Sequence, residues 1–242
     1  MKQVAVVTGG SNGIGLAIVE LFISAKYTVY NLDIQTSKVG QYIHCDMSDF
    51  DSVQNAIAQV IDREKRLDVL ICNAGIHFSA NIENTSPAQF DRIFDINVKG
   101  AYAAIQASLG VMKKQQKGAI VIISSDQAII GKTNSFAYNL TKHALASICK
   151  TTALDYAGDN IRVNAICPGT IETPLYHKAI DNYCLNSGAD KEQVHQAEQA
   201  LQPLGRLGQP SEVAQYALFL AGDKASFITG SLQIIDGGYT TA

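Results

Sequence analysis

Apolar positions along the chain fall into two rhythms. Short, nearly continuous apolar runs occur at Gln3–Thr8, Thr28–Asp33, Gln41–Cys45, Asp68–Asn73, Gly118–Ser124, Ile161–Cys167 and Ser231–Asp236. Runs without polar alternation suit strands of a parallel sheet covered on both faces. Between them, apolar residues recur at helical spacing in Gly13–Lys26, Asp49–Lys65, Ser86–Lys114, Ser135–Ala157 and Pro210–Ala221. The alternation predicts an α/β fold of Rossmann type, a doubly wound parallel sheet of about seven strands with helices on both faces. Its ligand crevice should lie at the carboxyl ends of the strands, where the strand order reverses. A chain of 242 residues fits this as a single domain spanning residues 1–242.

Two stretches break the rhythm. Only Ile34–Gly40 separate the second and third strands, too few for the usual helix, so a loop must cross there. Leu175–Gly205 is polar and holds two weaker helical patterns, Tyr176–Leu185 and Asp190–Leu201. Inserted after the sixth strand, residues 175–205 are expected to form a substrate lid.

Composition narrows the function classes. Charged residues make up 17% of the chain, hydrophobic residues 47%, and the net charge is −3. That is no nucleic-acid-coating or disordered chain. Lys113, Lys114 and Lys117 form the only basic cluster and read as a solvated helix end. Five cysteines without a C-x-x-C pair argue against a metal site or a disulfide framework. No apolar run approaches the ~18 residues of a membrane span. The expectation is a soluble, cytoplasmic protein with no membrane or nucleic-acid partner. The low charge raises the question of what covers the surface. Ala101, Ala103, Ala104, Ala107 and Ser108 in one helix, and Ala144, Ala146, Ser147, Ile148 and Thr151 in another, give each helix small or apolar residues on more than one face. That surplus predicts a subunit interface.

The chemistry gathers at three places. The first strand runs into Thr8-Gly9-Gly10-Ser11-Asn12-Gly13-Ile14-Gly15 and then a helix. Glycines let the backbone approach a ligand, and a helix N-terminus offers free N–H groups to a pyrophosphate. Asp33 ends the second strand, where a carboxylate accepts from both ribose hydroxyls of NAD and repels the 2′-phosphate of NADP. NAD is therefore the expected cofactor. The third place is the end of the fifth strand and the helix after it. Tyr138 and Lys142 lie one helical turn apart, and Ser125 ends the strand. A tyrosine of pKa ~10 is a poor base at neutral pH, and a nearby ammonium favours the phenolate. Taken singly, each of these elements also occurs for purely structural reasons.

Together these residues resemble the short-chain dehydrogenase/reductase family from about Val4 to Gly238. The resemblance rests on the T-G-x-x-x-G-x-G turn, Asp46, Asn73-Ala74-Gly75, Asn97, Ser125, the Y-x-x-x-K of Tyr138 and Lys142, Pro168-Gly169, Thr173 and Asp236-Gly237-Gly238. It implies that Tyr138 is the general acid/base, that Ser125 holds the substrate oxygen, and that Lys142 binds the nicotinamide ribose and lowers the tyrosine pKa. Asn97 would bend its helix and position a water in a proton relay. Asp46 and Met47 would hold the adenine edge, with Asn73, Ala74 and Gly75 beside the ribose. Pro168, Gly169, Ile171 and Thr173 would fix the carboxamide and pyrophosphate. Asp46 has an alternative role as a cap of the helix starting near Asp49.

Substrate contacts are expected from His77, Asp126, Gln127, Tyr176 and His177, with Phe136 nearby. Asp126 and Gln127 are placed to hydrogen-bond a second hydroxyl or carbonyl. The implied activity is NAD-dependent interconversion of a secondary alcohol and a ketone by a homo-oligomer, a dimer or tetramer. A 3-oxoacyl-carrier-protein reductase and a non-catalytic NAD(H) sensor are the rival readings.

Overall fold

The computed structural model describes residues 2–241. Seven strands, β1 (Val4–Thr8), β2 (Thr28–Asp33), β3 (Gln41–His44), β4 (Val69–Cys72), β5 (Gly118–Ile123), β6 (Ile161–Pro168) and β7 (Leu232–Ile235), form one sheet. All neighbours run parallel, in the order β3-β2-β1-β4-β5-β6-β7. The helices are α1 (Gly13–Ser24), α2 (Phe50–Glu64), α3 (Pro87–Phe94), α4 (Gly100–Gln115), α5 (Phe136–Tyr156), α6 (Pro174–Ser187), α7 (Lys191–Leu201) and α8 (Pro210–Ala221).

Burial on both faces explains the unbroken apolar strands. In β1, Val4 and Val6 join a core with residues of α2, α4 and α5, while Ala5 and Val7 join a second core with residues of α1 and α8. Successive strand residues point to opposite layers, so both registers must be apolar. Strand order reverses between β1 and β4, the place where open α/β sheets bind ligands at the carboxyl ends of their strands. The Ile34–Gly40 link carries no helix, as its length requires, and β3 forms the sheet edge.

The long helix expected over Ser86–Lys114 is not continuous. Its backbone widens into a π turn over Asp95–Lys99, which divides α3 from α4. Such turns insert a residue without disturbing apolar spacing on either side, so periodicity runs straight through them. The α4 start also passes very near the loop after β3. A Cβ on Gly100 would lie 2.5 Å from the Met47 carbonyl oxygen, a distance no side chain tolerates.

The apolar surplus on α4 is largely absorbed within the chain. Ala101, Ala103, Ala104 and Ser108 are buried, and Gln54 of α2 donates to the Ala103 carbonyl at 3.1 Å. On α5, Leu140 and Leu154 stay exposed, the latter by 80%. Phe227, after α8, is wholly exposed, and Ile234 of β7 is nearly half exposed. Among the described residues, no helix is long and apolar enough to cross a membrane.

Candidate active site

The glycine turn is shaped by the neighbouring strand. The Asn73 side chain donates to the carbonyls of Thr8 (3.1 Å) and Gly9 (2.9 Å), and the Asn73 and Ala74 amides donate to Thr8 Oγ1. Gly9 takes φ +66°, and a Cβ there would stand 2.8 Å from Ala74 Cα. A Cβ on Gly15 would lie 2.0 Å from the Gly9 carbonyl. Thr8 was not singled out as a site residue by the sequence, although it anchors both strands. Its signal was only its place at the head of the motif.

The start of α1 carries no side-chain cap, whereas Asp49, Ser86, Thr173 and Asp190 cap α2, α3, α6 and α7. The first N–H groups of α1, at Gly13, Ile14 and Gly15, therefore need an external acceptor. Thr173, at the head of α6, stands over this turn, 3.4 Å from where a Gly13 Cβ would be. Pro168 and Gly169 end β6 beside it, and Ile171 is buried, bridging to Gly208. A polar, uncapped cradle between Gly13 and Thr173 suits a pyrophosphate.

Asp33 is buried at the end of β2. One carboxylate oxygen accepts from the Ser11 amide at 3.0 Å and the other from the Gln35 amide at 2.9 Å. Ser11 Oγ and Asn12 Nδ2 tie the same Gln35 to the turn. Each Asp33 oxygen keeps a lone pair for a further donor. Asp46 is exposed and accepts from the Ser48 amide and hydroxyl, and those hydrogen bonds hold its carboxyl below the usual range. It does not cap α2, because Asp49 does. Met47 is buried beside it.

Ser125, Tyr138, Lys142 and Asn97 converge above β5. Lys142 is buried; its Nζ donates to the Ile123 carbonyl at 3.2 Å and lies 5.2 Å from the Tyr138 ring centre. Burial brings its pKa down to about 8. The expected lowering of Tyr138 is not what the structure shows. Burial and then the Asp126 charge push the phenol well up, and the Ser125 hydroxyl only partly offsets them. Lys142 spends a proton on the Ile123 carbonyl, and the Asp126 charge acts on the phenol in the opposite direction. Asn97, in the π turn, accepts from the Ile76 amide at 2.8 Å and donates to the Ile76 carbonyl (3.0 Å) and to Thr141 Oγ1 (3.2 Å). Thr141 in turn donates to the Tyr138 carbonyl. The Asn97 side chain thus braces the loop and helix around Tyr138 and makes no hydrogen bond to Lys142.

The substrate side holds an arrangement that sequence spacing hid. Ser125 Oγ donates to Asp126 Oδ1 at 2.5 Å and accepts from the Gln127 amide. The turn of 3₁₀ helix at Asp126–Ala128 folds the carboxylate back onto the serine. Burial raises the Asp126 pKa. The Gln127 side chain accepts from Ser135 Oγ, and Phe136 stacks on Phe90. His77 meets the Tyr138 ring edge-on at 4.8 Å, and burial with the nearby Lys132 and Lys142 charges lowers its pKa to about 4. On α6, Tyr176 hydrogen-bonds Nδ1 of His195 in α7 at 2.8 Å, while His177 is half exposed beside Glu172. His195 is a contact the sequence did not flag. Glu198 of α7 reaches Lys132 (3.9 Å) and Thr170 (3.4 Å) across the crevice.

Comparison with known proteins supplies the family. A family model described as Enoyl-(Acyl carrier protein) reductase matches residues 9–240. A solved short chain dehydrogenase family protein from Francisella tularensis is 37% identical, with full coverage of both chains and a TM-score of 0.93. The chain belongs to the short-chain dehydrogenase family. This short-chain dehydrogenase is also 35% identical to a cyclopentanol dehydrogenase from Comamonas, over 98% of its own length and 97% of the relative's. The structure of ElxO with NADP bound is 31% identical, covers each chain fully and has a TM-score of 0.91. The protein is therefore an oxidoreductase of a family that uses a nicotinamide cofactor. The uncapped glycine turn and the Asp33 carboxylate fit such a dinucleotide.

Proposed function

We propose that this short-chain dehydrogenase interconverts a secondary alcohol and a ketone, with NAD(H) as cofactor. The observation that carries the reading is the grouping of buried Ser125 and Lys142 around the half-buried Tyr138, on the side of the sheet where the glycine turn and Asp33 lie. When bound, the nicotinamide supplies the hydride acceptor. Tyr138 takes the hydroxyl proton of the alcohol. Ser125 turns its own proton from Asp126 to the substrate oxygen as charge develops there. Lys142 would bind the nicotinamide ribose. Its ammonium, charged below about pH 8 and 5.2 Å from the ring centre, is the group that would have to oppose the upward push of burial and Asp126 on Tyr138. Asn97 acts as a positioning residue through Ile76 and Thr141. Asp33 holds the ribose hydroxyls and disfavours a 2′-phosphate. Asp46 and Met47 flank the adenine, and the lid of α6 and α7 closes over the substrate.

A carrier-protein reductase fits less well. Its acidic partner would need a basic face near the crevice. Lys113 and Lys117 stand at the opposite end of the sheet, and they are engaged by the Tyr156 ring and by Asp223. The exposed Leu154, Phe227 and Ile234 favour assembly with further copies of this chain.

The test is NAD-linked oxidation of a panel of secondary alcohols by the wild type and Tyr138→Phe. The variant should bind NADH as the wild type does and lose about a thousandfold in turnover. Retained turnover would remove Tyr138 from its role. Catalytic efficiency with NADP above that with NAD would overturn the cofactor assignment.

A further inference from the structure

We infer that the substrate carries a second hydroxyl next to the reacting carbinol, and that Asp126 and Gln127 read it. The inference rests on the alcohol-oxidising reading above and names its substrate class. Both residues are only 6% exposed and directly follow Ser125. Asp126 uses only Oδ1 within the protein, for the Ser125 hydroxyl and the Gln127 amide. Its Oδ2 accepts from no group among the described residues. Gln127 uses only Oε1, for Ser135. Its Nε2 donates to nothing among them. Neither atom is sealed off, because the one fully enclosed side-chain atom without a partner among the described residues is Asn31 Oδ1. A free acceptor on the residue that holds the Ser125 hydroxyl, and a free donor on the residue after it, therefore both keep some access to solvent.

The chemistry of that pair selects its ligand. An ionised carboxylate only accepts, and an amide nitrogen only donates. A hydroxyl does both at once. A substrate carboxylate would meet the Asp126 charge. Lys132 could oppose that charge, but it already faces Glu198 of the lid. A substrate ammonium would satisfy Asp126 and leave Gln127 without an acceptor. A plain monoalcohol would cover both atoms and pair neither. Leaving a buried polar group unpaired costs about tenfold to a hundredfold in discrimination.

The experiment compares kcat/KM for cyclopentanol, cis-1,2-cyclopentanediol and 2-methoxycyclopentanol, in the wild type and Asp126→Asn. The wild type should prefer the diol over the monoalcohol by about tenfold or more. The methoxy compound, which accepts but cannot donate, should gain no such advantage. Asp126→Asn keeps an oxygen for Ser125 and puts a donor where Oδ2 stood. The diol preference should then fall to within about threefold, and the methoxy compound should rise relative to cyclopentanol. Gln127→Glu, which retains an acceptor for Ser135 and loses the donor, should also shrink the preference. Equal efficiency on diol and monoalcohol in the wild type overturns the inference without any variant. An unchanged preference in folded Asp126→Asn does the same. If the wild type oxidises none of the three alcohols or the wider panel with either dinucleotide, the alcohol-oxidising reading falls as well. Turnover without preference removes the second-hydroxyl subsite alone.

Discussion

Asn97 offers the sharpest structural test, because its side chain completes the hydrogen bonding of a backbone segment far away in sequence. Asn97→Ala removes the acceptor of the Ile76 amide and the donor to the Ile76 carbonyl at once. Each buried backbone group left unpaired costs about 1–3 kcal/mol, and partial access of water to the Ile76 loop brings the combined loss to about 2–4 kcal/mol. In a chain of this length that lowers Tm by about 5–15 °C. Asn97→Asp should be little better, since it keeps the bond from the amide but sets a carboxylate against the carbonyl. Thermal melts followed by circular dichroism measure the loss. Activity at a temperature where all forms are folded measures its local consequence. The Ile76 loop carries His77, which packs on Tyr138, so kcat should fall with little change in NADH binding. An Asn97→Ala melting point within about 2 °C of wild type would refute the bracing role.

Two further outcomes follow from burial. Lys142 has a folded pKa of about 8 against 10.5 unfolded, so the unfolded chain binds more protons between those values. This group alone should make the fold more stable by about 2 kcal/mol as pH rises from 7 to 9.5, and Lys142→Met should lack that rise in urea titrations. Light scattering at micromolar concentration should find an oligomer, because Leu154 and Phe227 stand exposed on an otherwise lightly charged surface. A monomer would show that these side chains need no partner.

Much of the architecture was legible because parallel strands buried on both faces leave an unmistakable apolar signature. The β5 run at Gly118–Ile123 and the α8 stretch at Pro210–Ala221 are cases in which chain pattern and fold coincide. The π turn at Asp95–Lys99 was invisible to periodicity, since apolar spacing resumes after it, and only the family resemblance placed a bend at Asn97. The site residues were legible as a set, but not their bonding. Adjacent residues at a strand end normally point apart, so the hydrogen bond from Ser125 to Asp126 depends on a 3₁₀ turn that no spacing rule announces. Burial first, and then the Asp126 charge, explain why Tyr138 is pushed up where the helical neighbour Lys142 led one to expect the reverse. A sequence reveals the helical neighbour Lys142, but not a carboxylate folded in from the preceding loop.

Asp33 is employed twice. Its two oxygens secure the Ser11 and Gln35 amides, and so the rim of the glycine turn, besides the ribose-binding role proposed for it. A change of cofactor preference by replacing this one residue would also release two backbone anchors. If Asp33 selects NAD as proposed, drift toward a phosphorylated dinucleotide would be obstructed by mechanics as well as by charge, because a neutral substitute must first supply new tethers for residues 11 and 35. On the NAD reading proposed above, cofactor preference would be tied to scaffolding and so would be slow to change even where selection rewarded a switch.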